Sequence, residues 1–363
     1  MRWHSFRIHY HADDKDRLVL DGVRPVVRGL SGRVDSVHYL RHWLRGPHVR
    51  LVVRCPDDVL ETFVRPVVEE HVGRFLAEAP STAGLDPQDH LAMHRRLAEL
   101  EAVGEDLLPW YPDNSIHCLP EADPSPSARL LADFYTDTNE LAFRMTEDAA
   151  GGSRRLAVAF DLMLSVAHSL SGVGLARGAL SFRSHAEAFL HGFPEGQGLR
   201  RAWDGHYDRS AARLVARVRA VAAALDGTGP AVPYVREWAD VLRPFQDRAR
   251  DLAASERPPE QAPPPGTTAE FADLTRISPF HREMFASDAW QEQTEATEWF
   301  LGYKLVLNYT YLHLTRLGIS PTERFLLCHL VAGAVEEAHG ISAVELIRTL
   351  ADPSLLDPAE AER

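Results

Sequence analysis

Four arginines lie close together near the N-terminus and could bind a substrate that carries carboxylates. They belong to the stretch YLRHWLRGPHVRLVVRC, residues 39–55, and are Arg41, Arg45, Arg50 and Arg54. A guanidinium stays charged at physiological pH and presents a planar fork that matches a carboxylate. Because the whole chain has a formal net charge of −13, this local positive charge indicates a binding site within an acidic protein.

The two strands of a β-hairpin would position these arginines. The Gly46-Pro47 pair predicts the turn, and residues alternate between the two faces of a strand. Along the second strand, residues 49, 51 and 53 are apolar, whereas Arg50 and Arg54 lie on the opposite face. If the strands pair across the turn, Arg41 and Arg50 lie near each other. Two interpretations stay open. The arginines could form a binding face, or they could lie on a solvated sheet face and prevent an edge strand from pairing with other chains.

The first third of the chain predicts an α+β fold with an antiparallel sheet. Strand patterns occupy residues 3–11 and both arms of the hairpin. A short helix is expected to end near Gly29 or Gly32, and Asp57 is expected to cap a longer one. This order of strand, helix, strand, strand and helix favours helices packed on one antiparallel sheet.

Longer helices are predicted from about Phe134 onward, because apolar residues recur there at helical spacing. Ser320, Pro321 and Glu323 form a typical helix start. The proline-rich residues 257–268 predict an extended linker. We therefore expect an α+β region, a helical region, the linker, and C-terminal helices that complete an active site, over residues 1–130, 131–256, 257–268 and 269–363 respectively.

The composition indicates a globular protein and argues against membrane and nucleic-acid partners. The chain has 363 residues, of which 45% are hydrophobic and 25% charged, as is usual for a globular domain. No apolar run approaches the roughly 18 residues of a membrane span, and the polar N-terminus lacks the centre of a signal peptide. We expect a cytoplasmic protein with no membrane partner. The acidic balance also argues against a nucleic-acid partner.

The sequence contains no motif for a metal ion or a nucleotide cofactor. Cys55, Cys118 and Cys328 are odd in number and far apart, which argues against a disulfide framework and a thiolate zinc site. His9 and His11 share a strand face, but no third ligand is visible. Glycine-rich nucleotide loops and a nucleophile elbow are absent from the sequence. We therefore expect no cofactor and no metal.

The arginine-rich hairpin resembles that of the elimination domain of lantibiotic dehydratases, a family that also includes standalone enzymes of thiopeptide biosynthesis. The shared pattern is an aromatic-hydrophobic-Arg strand, a Gly-Pro turn, and a strand that begins His-hydrophobic-Arg, here residues 39–41, 46–47 and 48–51. The opening WHSFRIHYH and the later segments SFRSHAEAFL and NYTYLHLTRLG extend the resemblance towards the end of the chain. The resemblance implies the fold of that elimination domain.

The C-terminal motif distinguishes between two chemistries within this family. Members that eliminate glutamate from a glutamylated serine or threonine resemble His-Met-x-x-Asn-Arg. When this chain is aligned on Arg316, Tyr311 replaces the histidine and Thr315 the asparagine. His313 lies about 200° further round the helix and faces elsewhere. The segment LEAVGEDLLPWYPDNS also departs from the eliminating members and looks like the pyridine synthases.

The resemblance therefore implies a thiopeptide pyridine synthase. Such an enzyme joins two dehydroalanines of a precursor peptide by a formal [4+2] aza-cycloaddition, then loses water and the leader peptide to give a pyridine macrocycle. Holding the two alkenes in contact and transferring protons at one amide would be enough for this reaction, so the resemblance implies no cofactor. Two alternatives stay open: a glutamate-eliminating dehydratase subunit, and a non-catalytic subunit that binds the leader peptide. The oligomeric state also stays open, with a homodimer as one option.

Within that reading, Tyr311 is the first candidate for proton transfer, because it replaces the eliminating histidine. Glu101 is the second, as a base near the amide, with Glu99 as the competing assignment. His185 is the third, since a histidine titrates near neutral pH. Each has a plainer interpretation as a packed or solvated side chain. The residues expected to bind the peptide or line the pocket are Arg41, Arg50, Asn308, Tyr303, Ser287, Asp288 and Trp290.

Overall fold

The computed structural model describes residues 1–100, 104–149, 152–192, 196–255, 278–286 and 298–351. The chain forms two compact units. The first unit comprises Met1–Arg155 with Leu312–Ile319, and the second comprises Leu156–Tyr311 with Ser320–Arg363. Both units are therefore discontinuous in sequence, and the four regions expected from the sequence stay a prediction. The predicted linker, residues 257–268, lies outside the described residues.

A four-stranded antiparallel sheet lies in the first unit. Its strands are β1 (Arg2–His9), β2 (Ser36–His42), β3 (His48–Cys55) and β4 (Ser115–Glu121), in the spatial order β2-β3-β1-β4. In the ladder, Leu51 of β3 pairs with Tyr39 of β2 and with Phe6 of β1. This arrangement confirms the predicted hairpin and the predicted antiparallel α+β fold. The expectation that Arg41 and Arg50 lie near each other was wrong, because Arg41 pairs with Val49 and Arg50 with Leu40, which puts the two side chains on opposite faces of the sheet. Strand β4 was not predicted.

The hydrophobic core of the first unit covers one face of this sheet. Phe6 and Ile8 of β1, Tyr39 of β2 and Leu51 of β3 are buried there, as the alternation of apolar residues requires. Helical residues 18–30 and 57–78 supply the other side of the core. The helical segments of this unit are Leu18–Val23, Arg24–Leu30, Asp57–Val59, Leu60–Val64, Arg65–Val68, Glu69–Gly73, Arg74–Glu78, Pro87–Leu100, Pro126–Asp137 and Asn139–Asp148.

The expected capping role of Asp57 was wrong. Pro56 occupies the N-cap position, and Asp57 is the first helical residue without a capping hydrogen bond. Its carboxylate instead lies 3.1 Å from Arg2 Nη1 and 3.5 Å from His4 Nε2. An acidic side chain in the first turn still favours the helix, since it faces the positive end of the helix dipole.

In its described part, the second unit consists of helices joined by loops and contains no strand. Its helices are Gly152–Ser169 (which begins in the first unit), Gly174–Gly178, Leu180–Gly192, Gly196–Leu225, Val235–Ser255, Pro279–Ala286, Glu298–Arg316 (which ends in the first unit), Pro321–His339 and Ala343–Ala351. The helix Pro321–His339 packs against Leu180–Gly192 and Gly196–Leu225. Its start is the predicted one: Ser320 Oγ accepts from the Glu323 amide, and the Glu323 carboxylate accepts from the Ser320 amide.

Within the ranges that the structure describes, no single helix combines the length and the apolar composition needed to cross a membrane. One pair, Arg154–Ser169 with Gly174–Gly192, reaches that composition together but is bent by 113°.

Candidate active site

The second unit brings Tyr311 and His185 into hydrogen-bond contact. Tyr311 lies near the end of the helix Glu298–Arg316, and His185 lies on the helix Leu180–Gly192. The Tyr311 hydroxyl oxygen is 2.7 Å from His185 Nδ1. The sequence nominated these residues separately, and the packing of the two helices joins them.

The helix Pro321–His339 adds Cys328 and Arg324 to this pair. Cys328 Sγ lies 3.4 Å from the Tyr311 hydroxyl oxygen. The Arg324 guanidinium carbon lies 5.2 Å from the centre of the Tyr311 ring. Sequence reasoning missed both residues as site members. Their spacing of four residues, which puts them on one helix face, was the available signal. We call these four residues, Tyr311, His185, Cys328 and Arg324, the Tyr311 cluster.

Burial sets the protonation states of the Tyr311 cluster. It raises the pKa of Tyr311 well above the usual value of 10.0, and raises that of Cys328 to about 11. Burial lowers the pKa of His185 to about 3, and the nearby charge of Arg324 acts in the same direction. At neutral pH the cluster therefore holds a phenol, a thiol and a neutral imidazole beside one guanidinium.

A neutral imidazole bonded to a neutral phenol sets the direction of the phenolic O–H. If His185 carries its proton on Nδ1, it donates to the phenol oxygen, and the phenolic O–H points to another acceptor. The other tautomer reverses the direction of the hydrogen bond. In the first arrangement Tyr311 can give its proton to a substrate oxygen, which is general acid catalysis, while the His185 N–H donates a hydrogen bond to the phenolate that is left.

Arg41 and Arg50 bind acidic partners within the first unit. Arg41 Nη2 donates to Asp16 Oδ1 at 2.8 Å, and its Nε donates to the Arg316 carbonyl at 2.9 Å. Arg50 Nη2 lies 2.6 Å from Glu121 Oε1. The Arg41 side chain is only 11% exposed, and that of Arg50 is 25% exposed. A peptide carboxylate would have to replace these partners, and it would reach Arg50 more easily.

Two further candidates lie on the helix of Tyr311. Tyr303 is buried, and its hydroxyl donates to a backbone carbonyl at 2.8 Å. Asn308 is half-buried and, among the described residues, its side chain makes no hydrogen bond, so it is not what orients the Tyr311 hydroxyl. His313 faces elsewhere, as expected: its Nε2 is 3.2 Å from Met145 Sδ in the first unit.

Glu101, Ser287, Asp288 and Trp290 lie outside the described residues. Glu99 belongs to the helix Pro87–Leu100, but its side chain is also outside what the structure describes. Their roles stay predictions.

In the first unit, the end of the helix Glu298–Arg316 is held by Arg316. The Arg316 side chain is fully buried, and its guanidinium carbon lies 4.4 Å from the centre of the Tyr39 ring. Its nitrogens donate to three neutral acceptors: the Tyr135 carbonyl at 3.2 Å, Thr138 Oγ1 at 2.9 Å and Asn139 Oδ1 at 2.7 Å. A buried guanidinium with three hydrogen bonds fixes the position of the helix end to which it belongs.

Among the described residues, no group of three or more histidine, cysteine, aspartate or glutamate side chains is arranged to hold a metal ion. His9 and His11, the pair noted in the sequence, have ring centres 6.4 Å apart. Burial and neighbouring charges lower the pKa of His9 to about 2, so this ring is neutral at physiological pH.

The chain is similar to one protein family and to several solved structures. The family model for the lantibiotic biosynthesis dehydratase C-terminal region matches residues 3–119 and 122–335. A solved structure described as a pyridine synthase, TbtD, from thiomuracin biosynthesis is 39% identical, with a TM-score of 0.78 and coverage of 94% of this chain and 99% of that one. The crystal structure of TsrL is 22% identical, with a TM-score of 0.71 and coverage of 96% and 98%, which shows the shared fold. Among curated proteins, none matches the chain.

Proposed function

The chain belongs to the lantibiotic biosynthesis dehydratase C-terminal family, and from this premise we propose that it is a pyridine synthase of thiopeptide biosynthesis. It joins two dehydroalanines of one precursor peptide and releases water and the leader peptide as a carboxamide. The observation that carries the proposal is the 39% identity to a pyridine synthase over nearly the full length of both chains. The Tyr311 cluster supports it with groups suited to proton transfer.

The reaction requires proton movement at one amide and no change of oxidation state. The proton leaves the amide nitrogen and one arrives on the carbonyl oxygen, which gives the imidic tautomer that serves as a 2-azadiene. Tyr311 gives its proton to that oxygen, the N–H of His185 donates a hydrogen bond to the phenolate that is left, and the phenolate regains a proton from the base that took up the amide proton. Glu101 is the proposed base that removes the amide proton. Holding both alkenes in contact supplies much of the remaining rate, since oriented intramolecular reactions gain about 7–11 kcal/mol.

The direct test is incubation with a synthetic precursor peptide that carries its leader and two dehydroalanines. We expect mass spectrometry to find the leader carboxamide and a core product that has lost water. A matched peptide with one dehydroalanine replaced by alanine should give neither product. An unchanged substrate would indicate a subunit that only binds peptide. Loss of glutamate from a glutamylated peptide, without ring formation, would indicate an eliminase.

Turnover should be unchanged after exhaustive chelation and dialysis. The physical reason is that every step of the proposed reaction is a proton transfer, a cycloaddition or an elimination, and none requires an electron acceptor. The measurement is the rate of leader release before and after treatment with a chelator. Activity that falls sharply and returns on adding a metal ion would contradict this expectation.

Substituting the hairpin arginines should weaken leader binding, and Arg50→Ala should do so more than Arg41→Ala. We expect about a tenfold loss for Arg50→Ala, since charge-assisted hydrogen bonds contribute about 1.5–3 kcal/mol. Fluorescence polarisation of a labelled leader would measure it. Affinity should also fall as salt rises, because ions screen exposed charge pairs. Arg65→Ala is the control, as Arg65 pairs with Glu61 on the same helix.

If leader affinity depends neither on the salt concentration nor on either hairpin substitution, these arginines serve only in ion pairs within the protein. The ion pair of Arg41 with Asp16 would then be their whole role. A cytoplasmic location and the option of a homodimer stay predictions, which cell fractionation and size-exclusion chromatography would check.

A further inference from the structure

Arg324 stands beside Tyr311 with no hydrogen-bond acceptor in the described part of the chain. Its guanidinium carbon lies 5.2 Å from the centre of the Tyr311 ring and 4.9 Å from that of Phe325. Its Nε is buried and has no hydrogen-bond partner within the described ranges. Three other partly buried arginines of the second unit differ, because each binds a carboxylate: Arg183 binds Glu336, Arg200 binds Glu187 and Arg217 binds Asp161.

An unpaired cation in this position destabilises the folded protein. Arg324 is half-buried and its Nε is inaccessible to water; taking this part of a guanidinium out of water without an acceptor raises the free energy of the folded chain. The two aromatic faces offset part of that cost through cation–π attraction. Burial lowers the pKa of Arg324, but an arginine guanidinium keeps its proton in proteins, so the side chain stays charged. A charge held at this position has donors available for an acceptor that arrives with the substrate.

Resting on the proposed function, we infer that Arg324 binds the carbonyl oxygen of the amide that becomes the azadiene. Its N–H groups donate to this oxygen and stabilise the negative charge that builds there as the amide nitrogen loses its proton. Tyr311 then delivers a proton to the same oxygen. No bond between heavy atoms breaks in this step, and the cycloaddition that follows forms two carbon–carbon bonds. Arg324 is thus an oxyanion-stabilising residue, and Tyr311 is the proton donor.

The closeness of Arg324 to Tyr311 favours an amide oxygen as the ligand. The guanidinium carbon lies 5.2 Å from the centre of the ring whose hydroxyl is the proposed proton donor, so an amide oxygen bound between the two side chains would receive donors from both. The neighbouring His185 and Cys328 are neutral at neutral pH and do not compete as anionic partners. Among the described residues, no carboxylate lies within ion-pair distance of Arg324.

The test compares Arg324→Met, Arg324→Lys and Arg324→Ala with wild type in single-turnover cyclisation at saturating precursor peptide. Arg324→Met should slow ring formation about 10²-fold, as loss of one oxyanion donor typically does. Arg324→Lys should be at least about tenfold slower, because an ammonium lacks the planar fork. Added guanidinium should restore rate to Arg324→Ala and not to Tyr311→Phe. Arg201→Met, at an exposed position, is the control.

The outcomes separate this inference from the proposed function. If wild type makes no pyridine, the proposed function fails and this inference falls with it. If wild type and a folded Arg324→Met cyclise equally fast, only the inference is overturned. A folded Arg324→Ala that guanidinium does not rescue also overturns it. Should Arg324→Met fail to fold, Arg324→Lys decides, and a wild-type rate for that variant counts against the inference.

Discussion

Tyr311→Phe should slow cyclisation by about 10²-fold or more, since a positioned proton-transfer group contributes about 10²–10⁴-fold. The substitution removes the oxygen that lies 2.7 Å from His185 Nδ1 and 3.4 Å from Cys328 Sγ. It keeps the ring that packs beside Arg324 and Phe182. The fold should therefore survive while proton transfer is lost. Single-turnover kinetics followed by mass spectrometry would measure the rate.

The matched control for Tyr311→Phe is Tyr309→Phe. Tyr309 is a buried tyrosine on the same helix, and its side chain points about 200° away from that of Tyr311. It should cyclise at the wild-type rate, and both variants should keep wild-type leader affinity. A folded Tyr311→Phe that cyclises normally would make Tyr311 a packing aromatic. Glu101 and His185 would then be the next candidates.

Arg316→Met should destabilise the first unit by about 3 kcal/mol. Three buried acceptors would lose a charged donor, and each such loss typically costs about 1–3 kcal/mol. Relief of the buried charge offsets part of this cost. Stacking on Tyr39 would also be lost. The midpoint of urea unfolding, read with an unchanged slope, would measure the difference in stability.

Arg316→Lys separates charge from geometry. It keeps the positive charge but cannot reach the Tyr135 carbonyl and the Thr138 and Asn139 side chains together, so we expect a loss close to that of Arg316→Met. Arg129→Met, at an exposed position of the first unit, should leave the midpoint unchanged. Wild-type stability in Arg316→Met would show that the three hydrogen bonds contribute nothing net.

The hairpin was predictable because its signals are local. Alternating apolar residues and the Gly46-Pro47 pair determine both strands and the turn, and the structure places them at residues 36–42 and 48–55. Strand β4 escaped prediction because its sequence, SIHCLPE, contains Pro120 and few branched residues. What makes it a strand is pairing with β1, which lies more than a hundred residues away in the chain.

The site was predictable only in pieces. Tyr311 and His185 were both nominated, but they lie 126 residues apart, and no local pattern reports the hydrogen bond between them. Arg324 was missed for a different reason. Its significance lies in the absence of an acceptor among the described residues, which only a packed structure reveals. Arg41 is the opposite case. The sequence suggested a guanidinium available to a substrate, but in the structure it pairs with the carboxylate of Asp16, which lies outside the hairpin.

The burial of the thiols has a chemical consequence for an enzyme that holds dehydroalanines. An alkene conjugated to a carbonyl is an electrophile, and a thiolate adds to it readily, whereas a protonated thiol does not. Burial raises the pKa of Cys55, Cys118 and Cys328, the last to about 11. All three therefore stay protonated at neutral pH, including the one in contact with Tyr311. The dry environment that keeps Tyr311 a proton donor also protects the enzyme from alkylation by its own substrate.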